Sequence, residues 1–198
     1  MNSKVKKIIS LISVVICVAS IVMLSLTAIA SKELSLTGWK LFYVNFTFKY
    51  QADPGKYLTL TYGTSFAAVA LIVALILGTL TAAASFGQRF IDNKSAVKVL
   101  GIISIVALII AGVLFFLLHT TCSLPDKLPD ISEYDDLPSD FILPDIRKSA
   151  FSPGFGAIIG GVLALLSAAC STVAVFVPDK DCLLYILKAA AQILRGGF

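Results

Sequence analysis

The chain alternates between long apolar runs and shorter polar connectors. A bilayer core about 30 Å thick needs about 20 apolar residues at a rise of 1.5 Å each. Four runs reach that length, and they cover residues 8–30, 66–86, 97–118 and 155–177. Apart from Lys98 near the start of the third run, none of them contains Asp, Glu, Lys or Arg. The pattern predicts an all-α membrane protein with a four-transmembrane-helix bundle over residues 1–178.

Lys and Arg residues near the ends of the runs predict the orientation, because cytoplasmic loops carry an excess of both. If the two termini and the connector between the second and third runs are cytoplasmic, that side holds nine Lys/Arg and three acids. The two outer loops, residues 31–65 and 119–154, then hold seven Lys/Arg and nine acids. We therefore expect a multi-pass protein of the cell membrane with both termini in the cytoplasm.

The first run permits a second interpretation. Ala28-Ile29-Ala30 resembles the small-residue cleavage site of a secretory signal peptide. The run has 23 residues, however, whereas the apolar region of a signal peptide has about 7–15. We favour a retained helix. Cleavage would leave three spans.

The first outer loop predicts a β-hairpin. Aromatic and β-branched residues flank Asp53-Pro54-Gly55, in which Pro sets φ and Gly supplies the positive φ of a turn. Phe42, Phe46 and Phe48 alternate along the first strand and share one predicted face. A lone two-stranded hairpin is only marginally stable in water, so this small extracellular subdomain must pack against the rest of the protein, the membrane surface or a partner chain. It caps the bundle, or it docks a partner through Trp39 and these aromatic residues.

The second outer loop is acidic and rich in proline. It holds seven acids and five prolines between residues 120 and 153, which favours a solvated, extended segment. Glu133, Asp135 and Asp136 offer carboxylates to a hard cation, but without the spacing of a calcium-binding loop. His119 and Cys122 are two ligands, whereas a structural zinc ion needs four. We predict neither a metal nor a cofactor.

Small residues recur at four-residue steps in the fourth run, as Gly156, Gly160, Ala164 and Ala168. Such ladders let helix backbones approach closely in lipid. They predict close helix packing within the bundle or against another chain.

The segment after Pro178 predicts a separate element. Polar side chains recur there at three- and four-residue steps, as Asp181, Tyr185, Lys188, Gln192 and Arg195. We expect a cytoplasmic amphipathic tail over residues 179–198, too short to span and lying at the membrane surface.

Composition agrees with a membrane protein. Apolar residues make up 58% and charged residues 14% of the 198 residues, and the mean hydropathy is +0.92. A soluble domain carries roughly 25% charged residues. These values exclude a soluble domain and intrinsic disorder. The lipid bilayer is the expected surrounding, and the net charge of +4 follows from the topology without a nucleic-acid partner.

The order of elements resembles that of claudins and the related four-span proteins of the peripheral-myelin-protein type. Gly38-Trp39 matches a fragment of the claudin motif in the first outer loop. The chain is also similar to uncharacterised four-helix membrane proteins of bacteria, through Gly38-Trp39 after the first span and Gly154-Phe155-Gly156 at the start of the fourth. Either resemblance implies a tetraspan fold and no reaction.

Two functions agree with these features. Because the runs lack buried charge and no nucleophile, base and metal ligand cluster in the sequence, we do not expect an enzyme. The leading hypothesis is a non-enzymatic membrane protein that acts by contact, as a scaffold, an accessory subunit or a self-associating tetraspan. The alternative is a transport or permeation component, in which one polar side of the first run lines a route for a small solute. That side carries Ser10, Ser13, Cys17 and Ser20.

Overall fold

A computed structural model describes residues 3–49, 57–91, 93–128 and 143–177. Four α-helices dominate this part of the chain: α1 Ser3–Val22, α2 Phe66–Gln88, α3 Lys94–Thr121 and α4 Phe155–Phe176. All four are long and apolar enough to cross a membrane. This confirms the predicted number of helices and indicates a multi-pass membrane protein. The predicted tail, residues 179–198, lies outside the described residues.

The helices form a ring in which α1 and α3 each pack on both α2 and α4. On α1 and α4, small and polar side chains lie inside the ring and branched apolar ones outside. On α1 the buried positions are Ser10, Ser13, Cys17 and Ser20. The large exposed side chains of the same helix include Ile8, Leu11, Val15 and Val18. This distribution is the reverse of that in a soluble bundle and suits a lipid surrounding, where small residues allow close helix packing.

Two helices begin at side-chain caps. The Ser65 hydroxyl accepts a hydrogen bond from the Ala68 N–H of α2, at 3.5 Å. The Asn93 side chain does the same for the Ala96 N–H of α3, at 3.1 Å. Because the first backbone N–H groups of a helix have no partner within it, these caps determine where α2 and α3 start.

The first helix ends earlier than its apolar run. The sequence predicts a span to Ala30, but α1 stops at Val22, a 3₁₀ turn follows over Met23–Ser25, and Thr27–Ala30 forms the strand β1. Residues 28 and 29 are apolar because they are buried beneath other protein segments, not because they face lipid. With its start at Ser3, α1 still has 20 residues, about 30 Å of helix.

Strands from distant parts of the chain meet at this end of the bundle. β1 pairs with β2 (Ser35–Thr37) and with β5 (Ser152–Pro153) in an antiparallel sheet of order β2-β1-β5. This three-stranded sheet was not predicted.

The predicted hairpin strands are present as β3 (Tyr43–Lys49) and β4 (Tyr57–Thr64), paired antiparallel. The predicted turn, Asp53-Pro54-Gly55, lies outside the described residues. The register slips between Val44 and Asn45, opposite Gly63, whose φ is +78°. A positive φ at such a bulge is readily adopted by glycine alone, and the bulge increases the twist of the pair.

We call the described residues 23–49, 57–65, 122–128 and 143–154 the head. One buried apolar cluster runs from the head into the bundle, and it includes Leu41, Val44, Phe46, Phe115 and Leu118. Since no solvent layer separates the two parts, the head and the upper half of the bundle pack as a single unit.

Candidate functional site: an aromatic surface on the head

Three neighbouring aromatic side chains lie exposed on the head. Trp39, Phe42 and Tyr43 have relative exposures of 46%, 37% and 57%. The Phe42 N–H donates to the Trp39 carbonyl at 3.2 Å, which closes one 3₁₀ turn over Lys40–Phe42. Side chains three residues apart in a 3₁₀ turn lie on the same side, so Trp39 and Phe42 share one face. We call Trp39, Phe42 and Tyr43 the aromatic surface.

The turn is held against the 3₁₀ turn that follows α1. The Trp39 indole N–H donates to the Ser25 hydroxyl at 3.1 Å. Gly38 permits this approach, because a Cβ at that position would lie 2.7 Å from Leu24 Cδ2 and 3.1 Å from the Leu24 carbonyl oxygen. The aromatic surface therefore has a fixed position beside the 3₁₀ turn Met23–Ser25.

The three phenylalanines of the predicted docking face do not lie on one face in the structure. Phe46 is only 5% exposed and packs in the head core, with its ring stacked on that of Phe48 at 6.0 Å and edge-on to Tyr62 at 6.1 Å. Phe48 is half-buried. Phe42 belongs to the 3₁₀ turn rather than to β3, so it does not share the face of Phe46. Of the three phenylalanines, Phe42 alone remains well exposed. Tyr43, which the sequence analysis did not single out, lies beside it.

The small-residue ladder of α4 lies inside the bundle. Gly156, Gly160, Ala164 and Ala168 are all buried. A Cβ on Gly156 would lie 2.7 Å from the Met23 carbonyl oxygen, and one on Gly160 would lie 2.7 Å from the Phe115 ring. These positions are thus used by contacts within the chain.

Polar side chains join α1 to α4 along what we call the serine seam: Ser13, Cys17 and Ser20 on α1, with Ser167 and Ser171 on α4. The Ser13 and Ser167 hydroxyl oxygens lie 2.8 Å apart, and Ser171 Oγ lies 2.7 Å from Ser13 Oγ. Cys17 Sγ lies 2.9 Å from Ser167 Oγ. The Ser20 hydroxyl donates to the Gly160 carbonyl at 2.8 Å. All of these residues are buried.

The seam accounts for the polar side of the first run. Each hydroxyl has one proton to donate and two lone pairs to accept, and every group in the seam has a partner of the opposite kind within reach. Interhelical hydrogen bonds of this kind stabilise helix pairs in lipid. Three of the four residues considered for a solute route, Ser13, Cys17 and Ser20, are therefore bonded to α4, whereas Ser10 lines a small cavity of about 10 Å³.

The pair His119 and Cys122 completes the end of α3. His119 Nδ1 lies 3.0 Å from the Phe116 carbonyl, and the Cys122 thiol donates to the His119 carbonyl at 3.4 Å. Burial raises the pKa of the Cys122 thiol. Within the described ranges, no group of three or more His, Cys, Asp or Glu side chains could hold a metal ion. Glu133, Asp135 and Asp136 lie outside those ranges.

No family model, curated protein or solved structure matches this chain. The resemblance to claudins and to bacterial four-helix proteins consequently rests on the arrangement of elements: four apolar helices and a small antiparallel sheet.

Proposed function

We propose that the protein is a non-enzymatic integral membrane protein that acts by contact, as a scaffold or accessory subunit whose aromatic surface binds a second membrane protein. The observation that carries the proposal is the exposure of Trp39, Phe42 and Tyr43 at and beside one 3₁₀ turn of a well-packed head. Large rigid aromatic side chains dominate the energy of protein interfaces, because they bury much area at low entropic cost.

Pre-organisation supports this role. The turn is fixed by the Trp39–Ser25 hydrogen bond and by the close approach of Gly38 to Leu24. Neighbouring Leu41 is fully buried beneath the turn and anchors it to the shared core. A surface that is already ordered loses little conformational freedom when a partner binds, so more of the contact energy appears as affinity.

The orientation proposed with this function places the head outside the cell and both termini in the cytoplasm. It is supported by the positive residues at the opposite end of the bundle, where Lys4, Lys6 and Lys7 begin α1 and Arg89, Lys94 and Lys98 surround the α2–α3 connector. The partner would therefore approach the aromatic surface from the outer face of the membrane.

Lipid is the competing occupant of the aromatic surface, because aromatic residues also gather at membrane interfaces. Two other phenylalanines at the head end supply a matched control. Phe66 and Phe155 are exposed at the first residues of α2 and α4, where they suit the membrane interface. A double substitution at these positions removes the same type of side chain from the same end of the bundle.

The test compares Trp39→Ser/Phe42→Ser with Phe66→Ser/Phe155→Ser in the full chain after mild detergent extraction. Copurification of the partner should fall by more than about tenfold in the first variant and stay within about twofold in the second, since aromatic anchors contribute about 2 kcal/mol or more each. Thermal unfolding should change little in either. A photoreactive amino acid replacing Tyr43 should crosslink to the same partner in intact membranes.

Three results would contradict the proposal. Equal losses in both variants would assign the aromatic surface to lipid anchoring. Unchanged copurification in both would remove the surface from any interface. Crosslinking at position 43 to lipid alone would also show that the aromatic surface is not part of a protein interface. A crosslinked second copy of this chain would replace the accessory role with self-association.

A further inference from the structure

At the end of the bundle opposite the head, the helix ends surround a cavity of about 150 Å³. All the ionisable side chains among the described residues that line it are cationic: Lys6, Lys7, Arg89, Lys94 and Lys98. They come from the first turns of α1 and α3 and from the residue that follows α2, while α4 contributes Ala174 and Val175. The cavity is therefore a meeting point of all four helices.

Two of the cations are fixed in place by contacts with the bundle. The Arg89 guanidinium reaches across to α4, where its Nη2 donates to the Ala174 carbonyl at 2.8 Å. The Lys7 ammonium lies 4.5 Å from the centre of the Phe90 ring, an arrangement that stabilises a cation over an aromatic face. The first contact joins the end of α2 to α4 and the second joins α1 to the α2–α3 connector, and both hold a charge at the cavity.

Among the described residues, the side-chain charges rather than the helix dipoles favour an anion at the cavity. The positive N-terminal ends of α1 and α3 lie at this end of the bundle, but so do the negative C-terminal ends of α2 and α4. These contributions oppose one another. Lys7, Lys94 and Lys98 place three positive charges around one concave space beside Arg89, and such a concave cluster attracts anions.

The cavity also has a polar floor. A smaller cavity of about 10 Å³ lies next to it and shares Arg89, and it is lined by the hydroxyl-bearing residues Ser10, Ser85 and Ser171. That volume suits about one water molecule. The volume of the larger cavity is more than ten times that of the smaller one, and it has room for a polyatomic anion.

We propose that this cationic cavity binds a phosphate group, carried by an anionic lipid or by a phosphorylated solute. Arg and Lys are the usual donors to phosphate oxygens, Arg through two parallel N–H groups and Lys as a point charge. Basic pockets between transmembrane helices take the headgroups of anionic lipids. Exposed Val5 and Val99, each adjacent along its helix to a lining or basic residue, offer apolar surface to acyl chains.

Lys98 and Lys4 provide a matched pair of substitutions. Both are exposed lysines near the same end of the bundle, but Lys98 lines the cavity and Lys4 does not. Lys98→Glu and Lys4→Glu change the net charge equally, so a general electrostatic effect would appear in both. A specific site responds to Lys98→Glu alone.

The experiment measures binding to the purified full chain in a zwitterionic detergent, with phosphatidylglycerol, phosphatidylcholine and soluble glycerol phosphate as probes. Native mass spectrometry counts bound lipid, and calorimetry follows glycerol phosphate. Because one basic residue near an anionic group contributes about fivefold in affinity, charge reversal at Lys98 should weaken binding on the order of twentyfold. Lys4→Glu should change it by less than about threefold.

The two probes identify the source of the phosphate. Binding of phosphatidylglycerol alone, lost in Lys98→Glu, assigns the cavity to a lipid headgroup. Binding of glycerol phosphate with the same dependence on Lys98 assigns it to a soluble phosphate. If neither probe binds better than phosphatidylcholine, or if both variants lose binding equally, the proposal is wrong. Circular dichroism and thermal unfolding of each variant verify that the fold is retained.

Discussion

Ser13 of α1 and Ser167 of α4 form a reciprocal pair in which each hydroxyl reaches the other residue's backbone. The Ser13 Oγ lies 3.0 Å from the Ser167 carbonyl, and the Ser167 Oγ lies 2.8 Å from the Ser13 carbonyl. If both protons go to these carbonyls, Ser171 can donate to Ser13 Oγ and the Cys17 thiol to Ser167 Oγ. One assignment thus satisfies every hydroxyl and aligns the two helices at this level.

The pair predicts coupled losses of stability. Ser13→Ala and Ser167→Ala should each lower the free energy of unfolding by about 0.5–1.5 kcal/mol, and the double variant by less than the sum, because the two residues share hydrogen bonds. Reversible unfolding in micelles measures the values. Ser95→Ala, on the exposed first turn of α3, is the control and should leave stability unchanged. Additive losses would mean that the two hydroxyls act independently.

Close packing at Gly160 predicts that larger side chains at this position destabilise the bundle. Gly160→Ala forces the buried Phe115 ring to move, since the new Cβ would lie 2.7 Å from it, and should cost about 1–3 kcal/mol. Gly160→Leu should prevent the packing of α3 on α4.

Gly87, on α2, is the control position for the substitutions at Gly160. It is exposed near the end of α2 with nothing within 4 Å of an added Cβ, so Gly87→Ala should leave stability unchanged or raise it by about 0.4–1 kcal/mol. Thermal unfolding and detergent extraction yield compare the variants. A folded, stable Gly160→Leu protein would show that the helices do not meet at this position.

Burial separates the roles of two phenylalanines in the head. Phe46→Ala should destabilise the protein by about 3–5 kcal/mol, because it removes a ring from the shared core. Phe42→Ala should stay within about 0.5 kcal/mol, as expected for an exposed side chain. Hydrogen exchange of the β3 and β4 amides measures both effects. Equal protection in the two variants would contradict the assignment of Phe46 to the core.

The segment that leads to α4 carries a pH-sensitive ion pair between Asp145 and Arg147. Arg147 contacts both carboxylate oxygens of Asp145, with Nε to Oδ1 at 2.9 Å and Nη2 to Oδ2 at 2.7 Å, and these bonds lower the pKa of Asp145 from 3.8 to about 2. A depressed carboxyl pKa stabilises the folded loop above pH 3.8, and this contribution is lost as the pH falls through about 2.

Nuclear magnetic resonance of the Asp145 carboxyl carbon should therefore show a midpoint near 2, and Arg147→Gln should move it back towards 3.8. Lys148→Gln, at the next position along the chain, should not move it. An unchanged midpoint in Arg147→Gln would show that the ion pair does not form in solution.

The positions of three helices follow closely from the sequence, because Ser65 and Asn93 cap the starts of α2 and α3, and prolines flank the apolar run of α4. The end of α1 does not, because hydropathy cannot distinguish an apolar residue that faces lipid from one buried under a strand, as Ile29 is. β2 and β5 have only three and two residues, and their pairing joins distant segments, so neither periodicity nor turn chemistry indicates them.

The candidate site was predicted in part. Trp39 and Phe42 were identified, but the 3₁₀ turn at Lys40–Phe42 breaks the strand alternation and separates Phe42 from Phe46. The polar side of α1 was visible in the sequence, yet its partners on α4 were not. Ser167 and Ser171 are four residues apart, which is the spacing that could have revealed them.

The pairing of β1 with β5 has a consequence for biosynthesis. The Ser152 hydroxyl donates to the Ala30 carbonyl across 122 positions of sequence, and β5 leads directly into α4. At a translation rate of about 5–20 residues per second, one edge of β1 remains unpaired for on the order of ten seconds before β5 is synthesised. During that interval the nascent head presents an open strand edge. Completion of the sheet therefore requires synthesis as far as β5, just before α4, and a polypeptide stalled before that point keeps one edge of β1 unpaired.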